Sequence, residues 1–135
     1  LFFQKIFPYR GTTFQKIGGQ KVIDKLVDDF YEIMESDPRA KNCLATHEGR
    51  DLRVAAQKLK AFLCGWTGGP QIYLKTYGHP RLRMRHFPFS IGEEESQEWL
   101  YCMKEALKKS SIQNDHQIEL INAFQGLTEL IKNRS

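Results

Sequence analysis

Gly78-His79-Pro80-Arg81-Leu82-Arg83-Met84-Arg85-His86-Phe87-Pro88-Phe89 is the stretch on which the fold class turns. From Arg81 to His86 the side chains alternate in character, the two-residue period of a strand. Equally, Leu82, Arg85 and His86 share one face of a single helical turn. Periodicity inside the segment leaves both readings open, and the rest of the chain decides. No other run alternates, so a strand here would have no partner for its backbone donors and acceptors. The chain therefore reads as all-α, with one short or irregular helix around His86.

Working outward, four segments carry helical spacing. Between Gln20 and Glu35, Val22, Ile23, Leu26, Val27, Phe30 and Met34 recur every three or four residues. Gly18-Gly19 turns the chain into that helix, and Ser36-Asp37-Pro38 ends it. From Asp51 to Trp66 the apolar face is Leu52, Ala55, Leu59, Phe62, Leu63 and Trp66, stopped by Gly68-Gly69-Pro70. A third helix runs from about Glu93 to Lys108, with Trp99, Leu100, Met103, Ala106 and Leu107 inward. A fourth, about Asn114 to Lys132, aligns Leu120, Ile121, Phe124, Leu127 and Ile131, with Asn114 or Asp115 as its expected cap.

A chain of 135 residues supports one core and one domain. Its 12% aromatic content, nine of those residues being Phe, is high enough to suggest something flat packed in the interior. The net charge of +4 is unevenly spread. Leu52 to Gly92 contains no Asp or Glu but carries Arg53, Lys58, Lys60, Lys75, Arg81, Arg83 and Arg85; elsewhere acids exceed bases. An acid-free basic block points to an anionic partner: nucleic acid, a membrane surface, or a cofactor bearing carboxylates or phosphates. Cys43, Cys64 and Cys102 are odd in number and widely spaced, which argues against a disulfide framework and a zinc ribbon. Reduced, packed thiols in the cytoplasm are the expectation. No apolar run approaches the ~20 residues of a membrane span, and no signal peptide is visible.

Among the histidines, His116 is expected to face solvent, and His79, in a Gly-His-Pro turn, to play a local structural role. His47 lies in a loop with no diagnostic spacing. His86 stands between an arginine-rich turn and the apolar wall Phe87-Pro88-Phe89. In such a place a metal ligand competes with the commoner satisfied side chain, and the residues alone leave both open. Neither a zinc-helix histidine pair nor a glycine-rich phosphate loop occurs, so hydrolase chemistry has no support.

The motifs together resemble a known family. Gly68-Gly69-Pro70, Tyr73, Gly78 through Phe89 and Trp99-Leu100-Tyr101-Cys102-Met103 are similar to the group II truncated haemoglobins. Ile17-Gly18-Gly19 ahead of Leu26-Val27-Asp28-Asp29-Phe30-Tyr31 extends the likeness over about Thr12 to Leu107. It implies a shortened globin over 12–135, two helix pairs sandwiching haem b (iron protoporphyrin IX), with residues 1–11 an unassigned extension.

By this resemblance His86 is the proximal iron ligand. Tyr31 and Trp99 are the distal hydrogen-bond donors, with His47 a third group. Ala55 stands where many globins carry a distal histidine, and Leu59 lines the pocket. Lys58, Phe62, Tyr73, Arg85, Phe89 and Met103 are expected to touch the cofactor, with Arg85, Lys58 and Tyr73 on its propionates. Phe87-Pro88-Phe89 is expected to exclude water. The implied function is binding of dioxygen or another diatomic ligand; the alternative is a peroxidase, or a detoxifier of nitric oxide and reactive oxygen and nitrogen species. Implied partners are the diatomic ligand and an unidentified reductase, with room for a homodimer and no nucleic acid or membrane. A role in oxygen transport is less natural for so polar a pocket.

Overall fold

A computed structural model describes residues 9–135, so the expected extension over 1–11 lies outside the described residues as far as residue 8. Eight α-helices and one 3-10 turn follow in order: α1 Thr13–Ile17, α2 Gln20–Ser36, the turn Pro38–Ala40, α3 Lys41–Ala45, α4 Leu52–Trp66, α5 Ile72–Tyr77, α6 Leu82–His86, α7 Glu93–Lys108 and α8 Asn114–Ile131. No strand occurs among the described residues, so the ambiguous segment is helical, one turn ending at His86.

The four long helices are those marked by apolar periodicity. On α2, Ile23, Leu26, Val27, Phe30 and Met34 form the buried stripe. They pack against Leu100, Met103, Ala106 and Leu107 of α7 in one core. Each such side chain stabilises the fold by about 1.5–3 kcal/mol through removal from water. α2 packs on both α4 and α7, and α7 packs on α8. This is the two-over-two sandwich.

Both glycine pairs close around one aromatic ring. Gly18 ends α1 at φ +114, and a Cβ there would lie 2.5 Å from a Val22 methyl. A Cβ on Gly69 would fall 2.4 Å from the Phe14 ring, while the Phe14 N–H donates to Thr67 O at 2.8 Å. The turn into α2 and the turn out of α4 are thus one packed unit.

Local capping departs from expectation at α8. It starts at Asn114, but its cap is Gln113 and no side chain closes it. The preceding turn is fixed instead by Gln117 Nε2 donating to Ile112 O at 2.8 Å, and Asp115 accepts from the adjacent His116 N–H. His116 does not face solvent freely: its side chain is 20% exposed, and its Nδ1 is buried without a hydrogen bond. His79 keeps the expected local role, accepting from Arg81 N–H at 3.1 Å. That contact supports Arg81 at φ +43, an unusual backbone position for a residue with a side chain, at the entry to α6.

Candidate functional site

The stripe on α4 is only half matched by protein. Ala56 and Leu63 are buried, but Leu52, Ala55, Leu59, Phe62 and Trp66 stay partly exposed. Ala55, Leu59 and Phe62 meet a cavity of about 570 Å³, within the range of small-molecule sites. Val54, Ala55, Lys58, Leu59 and Phe62 form the α4 wall, and Phe124, Leu127, Thr128 and Ile131 the α8 wall. Trp66 stacks on Phe124 of the α8 wall at 5.1 Å.

One pole of the cavity is His86. Its Nδ1 lies 2.5 Å from the Leu82 carbonyl oxygen, which can only accept, so Nδ1 carries the proton. In the neutral ring Nε2 then keeps its lone pair, and it has no hydrogen-bond partner among the described residues. The loop after His86 is held from the far end of the chain. Asn133 Nδ2 donates to the carbonyls of His86 (3.1 Å) and Phe89 (2.7 Å), and Asn133 Oδ1 accepts from Ile91 N–H at 2.8 Å. This clamp turns Phe89 inward, its ring 6.3 Å from that of His86. Phe87 points the other way and is 63% exposed, so the expected apolar wall reduces to Phe89.

The opposite pole is polar. Tyr31 is buried against Phe30 at 4.9 Å, and Trp99 packs on Phe30 at 5.1 Å. Neither the Tyr31 hydroxyl nor the Trp99 indole N–H bonds a described residue. Burial, and secondarily Cys43, pushes the Tyr31 pKa up, so it remains a phenol and a donor. His47 stands edge-on to Tyr31 at 5.9 Å. Its Nδ1 donates to Cys43 O at 3.0 Å, and burial lowers its pKa, so the ring is neutral with a bare Nε2. In that state His47 presents Nε2 as an acceptor beside Tyr31.

Cations line the mouth. Lys58 Nζ lies 5.4 Å from the Tyr77 ring centroid, and Arg50 lies over Phe89 at 4.4 Å. Arg85 lies 5.6 Å from the Tyr73 ring and donates to Tyr77 O and His79 O, but its Nε is buried without a partner. An orphaned guanidinium nitrogen facing such a cavity asks for an anionic oxygen.

The bacterial-like globin family matches residues 12–133. The chain belongs to that family. This globin is similar to the group 2 truncated haemoglobin YjbI of Bacillus subtilis, 39% identical over 97 residues that make up 72% of this chain and 70% of that protein. It superposes on the group II 2-on-2 haemoglobin of Agrobacterium tumefaciens with a TM-score of 0.85 at 36% identity, covering 92% of this chain and 95% of that one. For the cold-adapted truncated haemoglobin of Pseudoalteromonas haloplanktis TAC125 the TM-score is 0.86 at 31% identity, over 92% and 99% of the chains. Globins bind haem and, through it, diatomic ligands, and membership carries that general function to this chain.

Of the residues named from the sequence, His86, Tyr31, Trp99, His47, Ala55, Leu59, Lys58, Phe62, Tyr73, Arg85 and Phe89 all line this one cavity. Met103 does not. It is wholly buried in the core against α2, because α7 is sandwiched and presents two apolar faces. The residues fit haem: a ring nitrogen with a free lone pair, apolar walls, and an unpaired guanidinium nitrogen toward the cationic mouth.

Several site residues carry no signal in the sequence. Ser96, one helical turn before Trp99, is buried on the cavity wall with its Oγ unpartnered. Glu98 braces the distal corner. Its carboxylate accepts from the Asn42 and Cys43 backbone N–H groups (2.8 and 3.0 Å) and from Asn42 Nδ2 (2.7 Å), tying α3 to α7. Glu98→Ala strands those donors and is expected to cost about 1–3 kcal/mol in urea unfolding, with Glu98→Gln recovering most of it. Equal midpoints for wild type and Glu98→Ala would remove the brace from the account.

Proposed function

We propose that this globin binds haem b through His86 Nε2 and holds dioxygen or a similar diatomic ligand by hydrogen bonds from Tyr31 and Trp99. One observation carries the reading. The His86–Leu82 hydrogen bond fixes the tautomer that leaves Nε2 bare on a ring facing an apolar cavity. That bond also raises the basicity of the ring toward a metal. Among the described residues no three metal-ligating side chains converge, so a single histidine suits a metal whose other ligands come from a macrocycle. When bound, haem supplies an iron centre that takes a diatomic ligand.

The chain's own side chains do the rest. Leu59, Phe62 and Phe89 exclude water from the walls, and Arg85 with Lys58 and Tyr73 orients the acidic edge of the ring. Tyr31 and Trp99 present two unengaged donors to the opposite pole. Ala55 offers no polar atom, so ligand retention rests on those two. Reduction of the protein requires an outside electron donor. Three free, buried cysteines are consistent with a reducing compartment, and we place the protein in the cytoplasm on that ground. No described helix is long and apolar enough to cross a membrane.

A second reading rests on His47. A bare Nε2 beside a phenol donor makes an acid–base pair, which can take a proton from hydrogen peroxide and return it to the departing oxygen. Haemin titration into the purified protein tests the first reading: a sharp Soret band at one equivalent is expected, and a spectrum matching free haemin would overturn it. Peroxide turnover no faster than that of free haemin would dismiss the second.

A further inference from the structure

Five of the seven exposed large hydrophobic side chains among the described residues fall in the acid-free block: Val54, Ile72, Leu74, Met84 and Phe87. The same block holds several cations that no described carboxylate neutralises, as Lys16, Lys21, Lys41, Lys104 and Lys109 are outside it. Arg53 is paired with Asp51 at 3.1 Å and Lys60 with Asp28 at 2.8 Å. Lys58, Lys75, Arg81 and Arg83, together with Arg50 just before the block, form no ion pair among the described residues.

Arg50, Val54 and Lys58 are exposed and also line the cavity mouth on its α4 side. Across the mouth, α6 turns Leu82, Arg85 and His86 inward and leaves Arg83 and Met84 exposed. Two cation–π contacts, Arg50 on Phe89 and Lys58 on Tyr77, join the lips. The mouth thus carries Arg50 and Lys58 on one side and Arg83 on the other, none in an ion pair among the described residues, with the exposed Val54 and Met84 between them. Arg85, Lys58 and Tyr73 are assigned above to the acidic edge inside, which leaves Arg50 and Arg83 over.

We infer that this rim is the docking surface for an acidic one-electron carrier protein, which reduces the haem through the mouth. The inference rests on the haem reading proposed above. In the step, one electron leaves the donor's reduced iron–sulfur cluster and arrives at the ferric iron. The cluster is oxidised by one, the iron goes from +3 to +2, and no bond or proton moves. Cations at the cavity mouth, through which a cofactor held inside would meet solvent, orient an acidic partner there and raise its encounter rate. Scattered apolar side chains between charges suit the small, transient interfaces of redox encounters. A membrane is disfavoured: α5 and α6 have six and five residues, too short for an amphipathic helix lying in a lipid interface.

The test uses the full chain loaded with haem and an acidic plant-type [2Fe–2S] ferredoxin. Calorimetric binding and stopped-flow reduction of the ferric protein are measured at low salt, about 20 mM, and at about 300 mM, where exposed charges are largely screened. Both are expected to fall about tenfold or more at the higher salt, within the range electrostatic steering supplies. The paired reversal Arg50→Glu with Arg83→Glu, exposed positions on the two sides of the mouth without ion pairs among the described residues, is expected to weaken both by a similar factor. Lys104→Glu with Lys109→Glu on α7, outside the block, should leave them unchanged.

Three results would overturn the inference: salt-independent binding, equal losses in the two reversed pairs, or tight binding to phosphatidylserine vesicles with none to ferredoxin. A protein with a normal Soret band that ferredoxin neither binds nor reduces sinks this inference alone. Absence of the Soret band sinks the haem reading beneath it.

Discussion

His86→Ala is expected to abolish specific haem uptake, while His79→Ala leaves it intact. The two histidines are seven residues apart in one basic segment, yet their ring nitrogens are committed differently. His79 Nδ1 accepts from Arg81 N–H and holds the turn into α6. His86 Nδ1 donates to Leu82 O, freeing Nε2 on a ring that lines the cavity. Outer partners of a metal ligand typically matter about 10–100-fold in affinity, so losing the ligand itself should exceed that. Haemin titrations followed at the Soret band would show a broad, weak spectrum for His86→Ala. Free imidazole, which fits the space vacated, should restore part of the wild-type band. A wild-type band in His86→Ala without imidazole would show that another group binds the iron.

Segments long enough to show a period declared themselves in the sequence, and contacts between distant residues did not. α2, α4, α7 and α8 span four turns or more, and their boundaries follow from stripes and glycine stops. α1, α3, α5 and α6 have five or six residues, too few to show a period and too few to be stable alone. They exist because tertiary contacts hold them: Asn133 to His86 O, Glu98 to the start of α3, Arg85 to Tyr77 O. These partners are separated by up to 56 residues, and nothing local announces them.

The site was legible through resemblance more than through pattern. Resemblance identified His86, Tyr31 and Trp99, and the cavity gathers all three. The expectations drawn from resemblance for Met103 and Phe87 differ from the structure: Met103 lies in the core, and Phe87 is turned outward beside the Asn133 clamp. One physical clue was present in α4 from the start. Its apolar stripe is as regular as that of α2, yet opposite Ala55, Leu59 and Phe62 there is a cavity where a helix would otherwise pack. A buriable stripe without a protein partner is what a planar cofactor leaves behind.

Dioxygen release is expected to accelerate about tenfold in Tyr31→Phe, and by a similar factor when the Trp99 N–H is removed, since one hydrogen bond contributes about 1–1.5 kcal/mol net. Tyr31→Phe is the cleaner change, because the ring contacts with Phe30 and His47 survive and only the hydroxyl goes. Trp99→Leu removes a donor and also opens space between Phe30 and Phe124, so Trp99→Phe is the companion that keeps the ring contacts. The double variant should approach hundredfold if the two donors act independently, and less if one donor compensates for the other. His47→Leu should change little at neutral pH, because burial holds the His47 pKa below its usual 6.5 and its Nε2 then carries no proton to donate. As pH falls through that lowered pKa, Nε2 gains a proton and becomes a third donor. Release should therefore slow in the wild type below pH 6.5 and fail to slow in His47→Leu. Stopped-flow release measured at neutral and acidic pH separates the three contributions. Unchanged neutral-pH rates in both Tyr31→Phe and Trp99→Phe would mean that the ligand is held by something other than the two donors this pocket leaves unengaged.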